Sequence, residues 1–146
     1  MRTEHLFRAL ADPTRLRIMR LLGSMELAVG EVAQVLGQSQ PRVSRHIGIL
    51  CDAGLAERRR EGSWVFLRAC ANTNDAPPLS TAIADLLVKA EASDSQFAEE
   101  CELDRRRLAE IREHRENEAQ AYFSDHAHDW DELRRMHSSD EAVEKA

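Results

Sequence analysis

The sequence predicts a mainly α-helical protein with one small β-hairpin and long C-terminal helices, and three observations support this fold class. Apolar residues recur at helical spacing over most of the 146 residues. A short helix with arginine and serine on one face and isoleucine and leucine on the other is predicted to follow Ser39. Two strand-like segments, residues 55–60 and 63–68, then flank Glu61 and Gly62. A polar-faced helix beside a basic hairpin is the arrangement of a winged helix-turn-helix, which binds DNA.

The first three helices are short, and each has a predicted boundary. Apolar residues at helical spacing place the first helix around residues 6–10. Asp12 and Pro13 mark the start of the second helix, because aspartate caps exposed N–H groups and proline is tolerated at the first helical position. The third helix is predicted over residues 29–36, where Gly37 closes it.

The fourth helix is predicted to run from a Ser39 cap to Gly54, with polar and apolar residues on different faces. Val43, Ile47 and Leu50 are spaced by four and three, so they form its buried stripe. Arginine can bond bidentately to guanine and glutamine to adenine, whereas serine is better placed for phosphates. The candidate DNA-binding residues of this helix are Ser39, Gln40, Arg42, Ser44, Arg45 and His46.

The hairpin places three consecutive arginines, Arg58, Arg59 and Arg60, before its turn. Arginines in such a wing contact phosphates or enter the minor groove. The alternative is that these arginines and the neighbouring glutamates only keep the surface soluble. The order of helix, turn, helix and basic hairpin favours DNA binding, because several independent signals agree. We therefore expect Arg45→Ala to relax sequence preference and Arg59→Ala to lower affinity on all sequences alike.

Charge divides the chain into two parts. Residues 1–68 contain eleven Lys and Arg against seven Asp and Glu, whereas residues 69–146 contain nine against nineteen. The basic part can face phosphates, and the acidic part is expected to project away from them.

Apolar runs and cysteines indicate the compartment. No apolar run approaches the ~20 residues of a membrane span, and the first residues do not resemble a signal peptide. Cys51, Cys70 and Cys101 lie far apart, which favours reduced cysteines and a cytoplasmic protein over a disulfide framework. Cys51 lies beside Asp52, which disfavours a thiolate, so we predict inert cysteines and not a redox switch.

We predict four regions along the chain: a DNA-binding domain over 1–71, a linker over 72–78, a helical dimerisation and arm region over 79–121, and a C-terminal helical segment over 122–146. The arm region combines an amphipathic helix with a long, highly charged helix that has few apolar positions. So long a charged helix needs a partner, either another subunit or a further domain.

Three segments resemble the ArsR-type family of bacterial winged-helix repressors: ADPTRLRIMRLL, VGEVAQVLGQSQPRVSRHIGILCDAGL and ERRREGSWVFLR. The resemblance covers about residues 5–68. It implies a homodimer built on the first helix and the helix after the wing, and a DNA partner that carries an inverted-repeat operator. Two recognition helices of a dimer are expected about one DNA turn, ~34 Å, apart. It also implies a regulator, in most cases a repressor released by a small effector. Because occluding a promoter needs no catalysis, we do not expect this chain to be an enzyme.

Family metal sites and cofactors are not predicted. Ala28 and Gly30 occupy the positions of the Cys-x-Cys pair that metal-sensing members have, and the helix after the wing offers only Asp85 as a candidate zinc ligand. A second group of possible ligands has a spacing similar to that of a zinc site, but it lies in a different part of the chain from the family's sites: Asp125, His126, His128, His137 and Asp140. We predict that these are solvated polar residues, because ligand types without the right placement are weak evidence.

The segment from residue 119 resembles the lead-in to an S-adenosylmethionine-dependent methyltransferase domain, which some ArsR-type regulators have behind the winged helix. The resemblance rests on Tyr122, Phe123, Ala127, Trp130, Asp131, Leu133 and Arg134. It implies an alternative function, the DNA-binding portion of a fusion that senses S-adenosylmethionine or S-adenosylhomocysteine. No glycine-rich cofactor loop follows in the sequence. In the other interpretation the segment is an amphipathic helix that folds back on the dimer. A protein-interaction module with an acidic arm is a third alternative, which the basic residues disfavour.

Overall fold

The computed structural model describes residues 2–125, which form six α-helices and a three-stranded antiparallel sheet. In chain order the elements are α1 (Thr3–Leu10), α2 (Pro13–Ser24), β1 (Leu27–Ala28), α3 (Val29–Leu36), α4 (Gln40–Asp52), β2 (Ala56–Glu61), β3 (Trp64–Ala69), a 3-10 turn (Cys70–Asn72), α5 (Pro78–Ser93) and α6 (Ser95–Asp125). The predicted fold class, mainly α with a small β wing and long C-terminal helices, is confirmed.

Local caps set the helix boundaries that the sequence predicts. The Asp12 carboxylate accepts a hydrogen bond from the Arg15 backbone N–H at 3.0 Å, and Pro13 opens α2. Gly37 and Gly54 follow α3 and α4 with φ of 64° and 78°, in the left-handed region that glycine adopts without strain. These contacts join near neighbours in the chain, so the sequence predicts them.

The core of the winged-helix part lies between α1, α2, α3, α4 and β3. The side chains with no exposed surface include Leu6, Ile18, Leu22, Val32, Val35, Val43, Ile47, Leu50 and Leu67. The predicted stripe of α4 is therefore confirmed, and burial of one face of this helix leaves its polar face at the surface.

The sheet differs from the predicted two-stranded hairpin. A third strand, β1, has only two residues and pairs with β3, so the strand order is β1-β3-β2. Two residues are too few to show the alternation by which a strand is recognised. The hairpin turn is also shifted by one residue, because Glu61 pairs with Trp64 and the turn is Gly62-Ser63. Gly62 has a φ of 63° there, which favours glycine.

The first part of α6 packs on the winged helix through a buried salt bridge. Phe97, Cys101, Asp104 and Leu108 are buried at helical spacing. Asp104 is 1% exposed, and its two oxygens accept hydrogen bonds of 2.7 and 2.9 Å from the Arg17 guanidinium of α2. The first turns of this helix thus pack on α2 of the same chain, whereas the sequence predicted another subunit or a further domain as the partner.

A second ion-pair cluster joins the same helices. Glu91 of α5 accepts hydrogen bonds from Arg20 at 2.9 Å and from Arg105 at 2.8 Å. Chiefly through its hydrogen bond to Arg105, the pKa of Glu91 falls to about 2. Among the described residues, those up to Ala109 form one compact unit that includes this cluster, and those from Glu110 belong to a second unit. Along residues 2–125, none of the helices has the length and apolar character that crossing a bilayer requires.

Candidate nucleic-acid interface

The N-terminal half of α4 presents a row of exposed polar side chains. Ser39 caps the helix, and its hydroxyl accepts a hydrogen bond from the Arg42 backbone N–H at 3.4 Å. The exposed residues of this row are Ser39, Gln40, Arg42, Ser44 and Arg45. The structure therefore leaves five of the six helix candidates exposed at the N-terminal half of α4.

The two arginines of this row have unneutralised charge. Within residues 2–125, neither the Arg42 nor the Arg45 guanidinium forms a salt bridge with an acidic side chain. The nearest carboxylates on α4 itself come only at Asp52, near the other end of the helix. Both groups are free to bind phosphate oxygens or a guanine edge.

His46 differs from the other candidates of α4. Its side chain is only 15% exposed, and its Nδ1 lies 3.2 Å from Arg15 Nη1 and 3.9 Å from the Asp12 carboxylate. Burial is the main cause that lowers the pKa of His46, and the charges of Arg15, Arg42 and Arg45 lower it further. The imidazole is thus neutral at neutral pH and directed at α2. The sequence did not predict a role for Arg15, because no local pattern relates it to a residue on another helix.

The wing divides its three arginines between two faces of the sheet. Side chains alternate along a strand, so Arg58 and Arg60 share one face and Arg59 lies on the other. The Arg58 guanidinium lies beside Gly48 of α4, so this face of the wing adjoins α4. Arg58 and Arg60 are exposed, and neither forms a salt bridge with a described acidic residue.

Arg59 is held by acidic and aromatic neighbours. Its guanidinium donates two hydrogen bonds to Glu26, of 3.0 and 2.8 Å, and one of 3.0 Å to Glu61. The same group lies 5.2 Å from the centre of the Phe66 ring, a cation–π distance. The bonds to Glu26 and Glu61 raise the pKa of Arg59 further above its usual value. The structure thus separates Arg59 from the arginines that adjoin α4. The alternation of side chains along a strand could have predicted that Arg59 lies on the opposite face from Arg58 and Arg60. The sequence could not have predicted that Glu26 pairs with it.

The cysteines lie in environments that disfavour a thiolate. Burial raises the pKa of Cys51 and Cys70, and it is the main cause that raises the pKa of Cys101 to about 12. Among the described residues, no group of three or more His, Cys, Asp or Glu side chains is arranged to hold a metal ion. Most of the histidine-rich group considered in the sequence, from His126 to Asp140, lies outside the described residues.

An exposed basic helix packed beside a basic wing places this chain in the winged helix-turn-helix class of DNA-binding proteins. The family model "Bacterial regulatory protein, arsR family" matches residues 12–58. The arsenical resistance operon repressor of Escherichia coli K12 is 47% identical over 64 residues, which cover 43% of this chain and 55% of that protein. The uncharacterized HTH-type transcriptional regulator MJ1325 of Methanocaldococcus jannaschii is 44% identical over 64 residues, which cover 42% of this chain and 70% of that protein.

The chain belongs to the ArsR family of bacterial regulatory proteins. Its matched segment spans about half the length of the E. coli repressor. A solution structure of a homodimeric winged helix-turn-helix DNA-binding domain from Mycobacterium bovis superposes with a TM-score of 0.52 at 29% identity. That likeness covers 64% of this chain and 80% of the M. bovis fragment. The predicted family is confirmed, and the relatives named here are regulatory proteins.

Proposed function

We propose that this protein is a homodimeric repressor that binds an inverted-repeat operator, with α4 of each subunit in the major groove. One observation supports this most strongly. The inward face of α4 is completely buried, while Arg42 and Arg45 on its outward face are exposed and have no acidic partner among the described residues. A helix held in this way presents base-reading groups without losing its packing.

The wing completes the surface with its α4-facing arginines. Arg58 and Arg60 extend the positive charge of α4 along the adjoining face of the hairpin, where they bind phosphates. Arg59 is not assigned to this surface, because Glu26 and Glu61 already neutralise it. Its function is to hold the wing against β1.

Exposed apolar side chains support a dimer through α1 and α5. Leu79 and Leu86 are seven residues apart on one face of α5, and Leu86 is 52% exposed. Phe7 of α1 is exposed as well. Large apolar groups at helical spacing favour a partner surface over solvent. The M. bovis relative, described as homodimeric, has the same fold.

Repression is proposed from the relatives named as repressors, among them the E. coli protein. Release by a small effector stays a prediction from the family resemblance. Ala28 and Gly30 stand where metal-sensing members have cysteines, so we do not assign a metal as that effector. Nothing within residues 2–125 favours the methyltransferase fusion, because most residues that support that resemblance lie beyond Asp125.

Replacing Arg45 with alanine is expected to relax sequence preference. A bidentate arginine–guanine contact contributes about 1–3 kcal/mol of discrimination, so operator affinity should fall about tenfold or more while affinity for unrelated DNA changes little. Footprinting on the upstream region of the chain's own gene supplies the operator, and fluorescence anisotropy measures both affinities. Equal loss on both DNAs would show that Arg45 contacts only the backbone. Unchanged binding to both, together with no footprint for the wild type, would refute the proposed function.

Arg60→Ala and Arg59→Ala form a matched pair of wing variants. Arg60→Ala is expected to lower affinity for operator and unrelated DNA alike and to reduce the slope of log affinity against log salt by about 1. Arg59→Ala should leave that slope unchanged, in contrast to the general loss of affinity expected from the sequence alone, because its charge is already paired with Glu26 and Glu61. Titrations between about 50 and 200 mM salt measure the slope. The reverse outcome, with only Arg59→Ala changing the slope, would contradict the assignment of the two wing faces.

A further inference from the structure

The Arg15 side chain joins three helices beneath the recognition surface. Its Nε donates to the Ala9 carbonyl at 2.6 Å and its Nη2 to the Arg8 carbonyl at 3.2 Å, both at the C-terminal end of α1. Its Nη1 lies 3.2 Å from His46 Nδ1 in the middle of α4. The backbone N–H of Arg15 is bonded to Asp12, the cap of α2. A single planar guanidinium thus connects the end of α1 to the recognition helix.

The chemistry of this junction requires a neutral histidine. A guanidinium has only donors, so His46 Nδ1 must accept and the ring proton must be on Nε2. The α1 carbonyls carry partial negative charge at the helix end and favour the Arg15 cation. A protonated His46 would have no acceptor for Arg15 and would place a second cation beside it.

The charged groups around the imidazole oppose its protonation. Arg15 of α2 and Arg42 and Arg45 of α4 disfavour the cation, and Asp12 is the one described residue whose charge favours it. On the α1 side of Arg15, the neighbouring cavity of about 430 Å³ is lined in part by His5, Arg8 and Asp52. On the wing side, Arg58 approaches α4 at Gly48.

We propose that Arg15 and His46 are positioning residues for DNA recognition, which fix α4 relative to α1 and release it when His46 is protonated. This inference rests on the proposed function. In the proposed dimer α1 belongs to the subunit contact, so a shift of α4 against α1 changes the separation of the two recognition helices. Two half-sites one turn apart require that separation, whereas unrelated DNA, bound through phosphates alone, does not. The junction therefore contributes to the ratio of operator affinity to unrelated-DNA affinity.

The direction of the pH dependence separates positioning from direct contact. The pKa of His46 is lowered below its ordinary value of 6.5, so the junction is intact above that pH and is lost as the pH falls through the folded-state pKa. The affinity ratio is then expected to fall on acidification. A histidine that contacts phosphate predicts the opposite, because its proton would strengthen binding to every DNA as the pH falls.

The test measures this ratio by fluorescence anisotropy between about pH 7.5 and pH 5, for the wild type, His46→Gln, Arg15→Lys and His5→Gln. A glutamine amide oxygen can accept from Arg15 without titrating, so His46→Gln should keep the ratio near neutral pH and abolish its fall in acid. Lysine cannot bond two carbonyls and an imidazole at once, so Arg15→Lys should lower the ratio about tenfold at neutral pH and leave unrelated-DNA affinity unchanged. His5→Gln, an exposed histidine of α1, is the matched control and should retain the wild-type pH profile.

Two results would overturn the inference: a wild-type pH profile in His46→Gln, or a loss in Arg15→Lys that is equal on both DNAs. An NMR titration of the His46 ring in the free protein gives an independent measure. The ring must titrate below the ordinary histidine range in the wild type and closer to that range in Arg15→Gln, which removes the cation, and an unchanged value in Arg15→Gln would contradict the contact. Failure of the proposed function is distinguishable, because the wild type would then show no operator preference at any pH.

Discussion

Replacing Asp104 with alanine is expected to destabilise the folded chain by about 3 kcal/mol, since it leaves a largely buried cation without its partner. Asp104 is 1% exposed and forms a two-pronged pair with Arg17, whose side chain is also mostly buried. The hydrogen bond to Asp104 is the main cause that raises the pKa of Arg17. Without that bond the guanidinium still cannot avoid the cost by losing its proton, because arginine is not deprotonated in proteins. Its desolvation is then uncompensated, and the first part of α6 loses its main polar anchor on α2.

Thermal unfolding monitored by circular dichroism measures this effect, and a fall in Tm of roughly 10 °C is expected for a unit of this size. Glu102→Ala is the matched control, because Glu102 is an exposed carboxylate on the same helix that pairs with Arg105 and Arg106. A surface pair of this kind contributes less than about 1 kcal/mol. Equal Tm shifts in the two variants would mean that the Arg17–Asp104 pair does not anchor α6.

Replacing Leu86 with aspartate is expected to convert the proposed dimer to monomers and to lower operator affinity by about 100-fold or more. The substitution places a carboxylate in the apolar stripe of α5, where a two-fold contact would set it near its own copy. A monomer binds one half-site at a time. It therefore loses the gain in affinity that two linked binding sites provide, which is about 10²- to 10⁴-fold. Affinity for single half-sites should change little, because Leu86 is not on the α4 or wing surface.

Sedimentation equilibrium gives the oligomeric state, and anisotropy on full and half operators gives the two affinities. Leu103→Asp is the control, since Leu103 is an exposed leucine of α6 outside the proposed contact. A dimeric Leu86→Asp variant with wild-type operator affinity would contradict the proposed subunit contact. Loss of folding, detected by circular dichroism, would instead place Leu86 in the core, contrary to its exposure.

Much of the proposed DNA-binding surface was predictable because the signals are local. The Ser39 cap, the spacing of Val43, Ile47 and Leu50, and the arginine run before Gly62 each lie within one or two turns of chain. Short-range periodicity and capping therefore placed α4 and the wing correctly, apart from a one-residue shift in the turn. The two-residue β1 was missed because so short a strand has no pattern of its own.

The partners of individual charged residues were not predictable. Arg59 reads as one of three equivalent arginines, yet Glu26, 33 residues away, holds it on the far face of the sheet. His46 reads as a surface residue of the recognition helix, and Arg15, 31 residues away, draws it inward. Asp104 reads as part of a solvated helix, and Arg17, 87 residues away, buries it.

The amino-acid sequence by itself determined which segments become α4 and the wing, and that both present arginines. It did so because hydrophobic spacing, caps and turn residues act between near neighbours. Only the tertiary structure decided which of those charges are available to a ligand and which are neutralised inside the protein. Ion pairs depend on distances between residues far apart in the chain, and only the packed fold determines those distances.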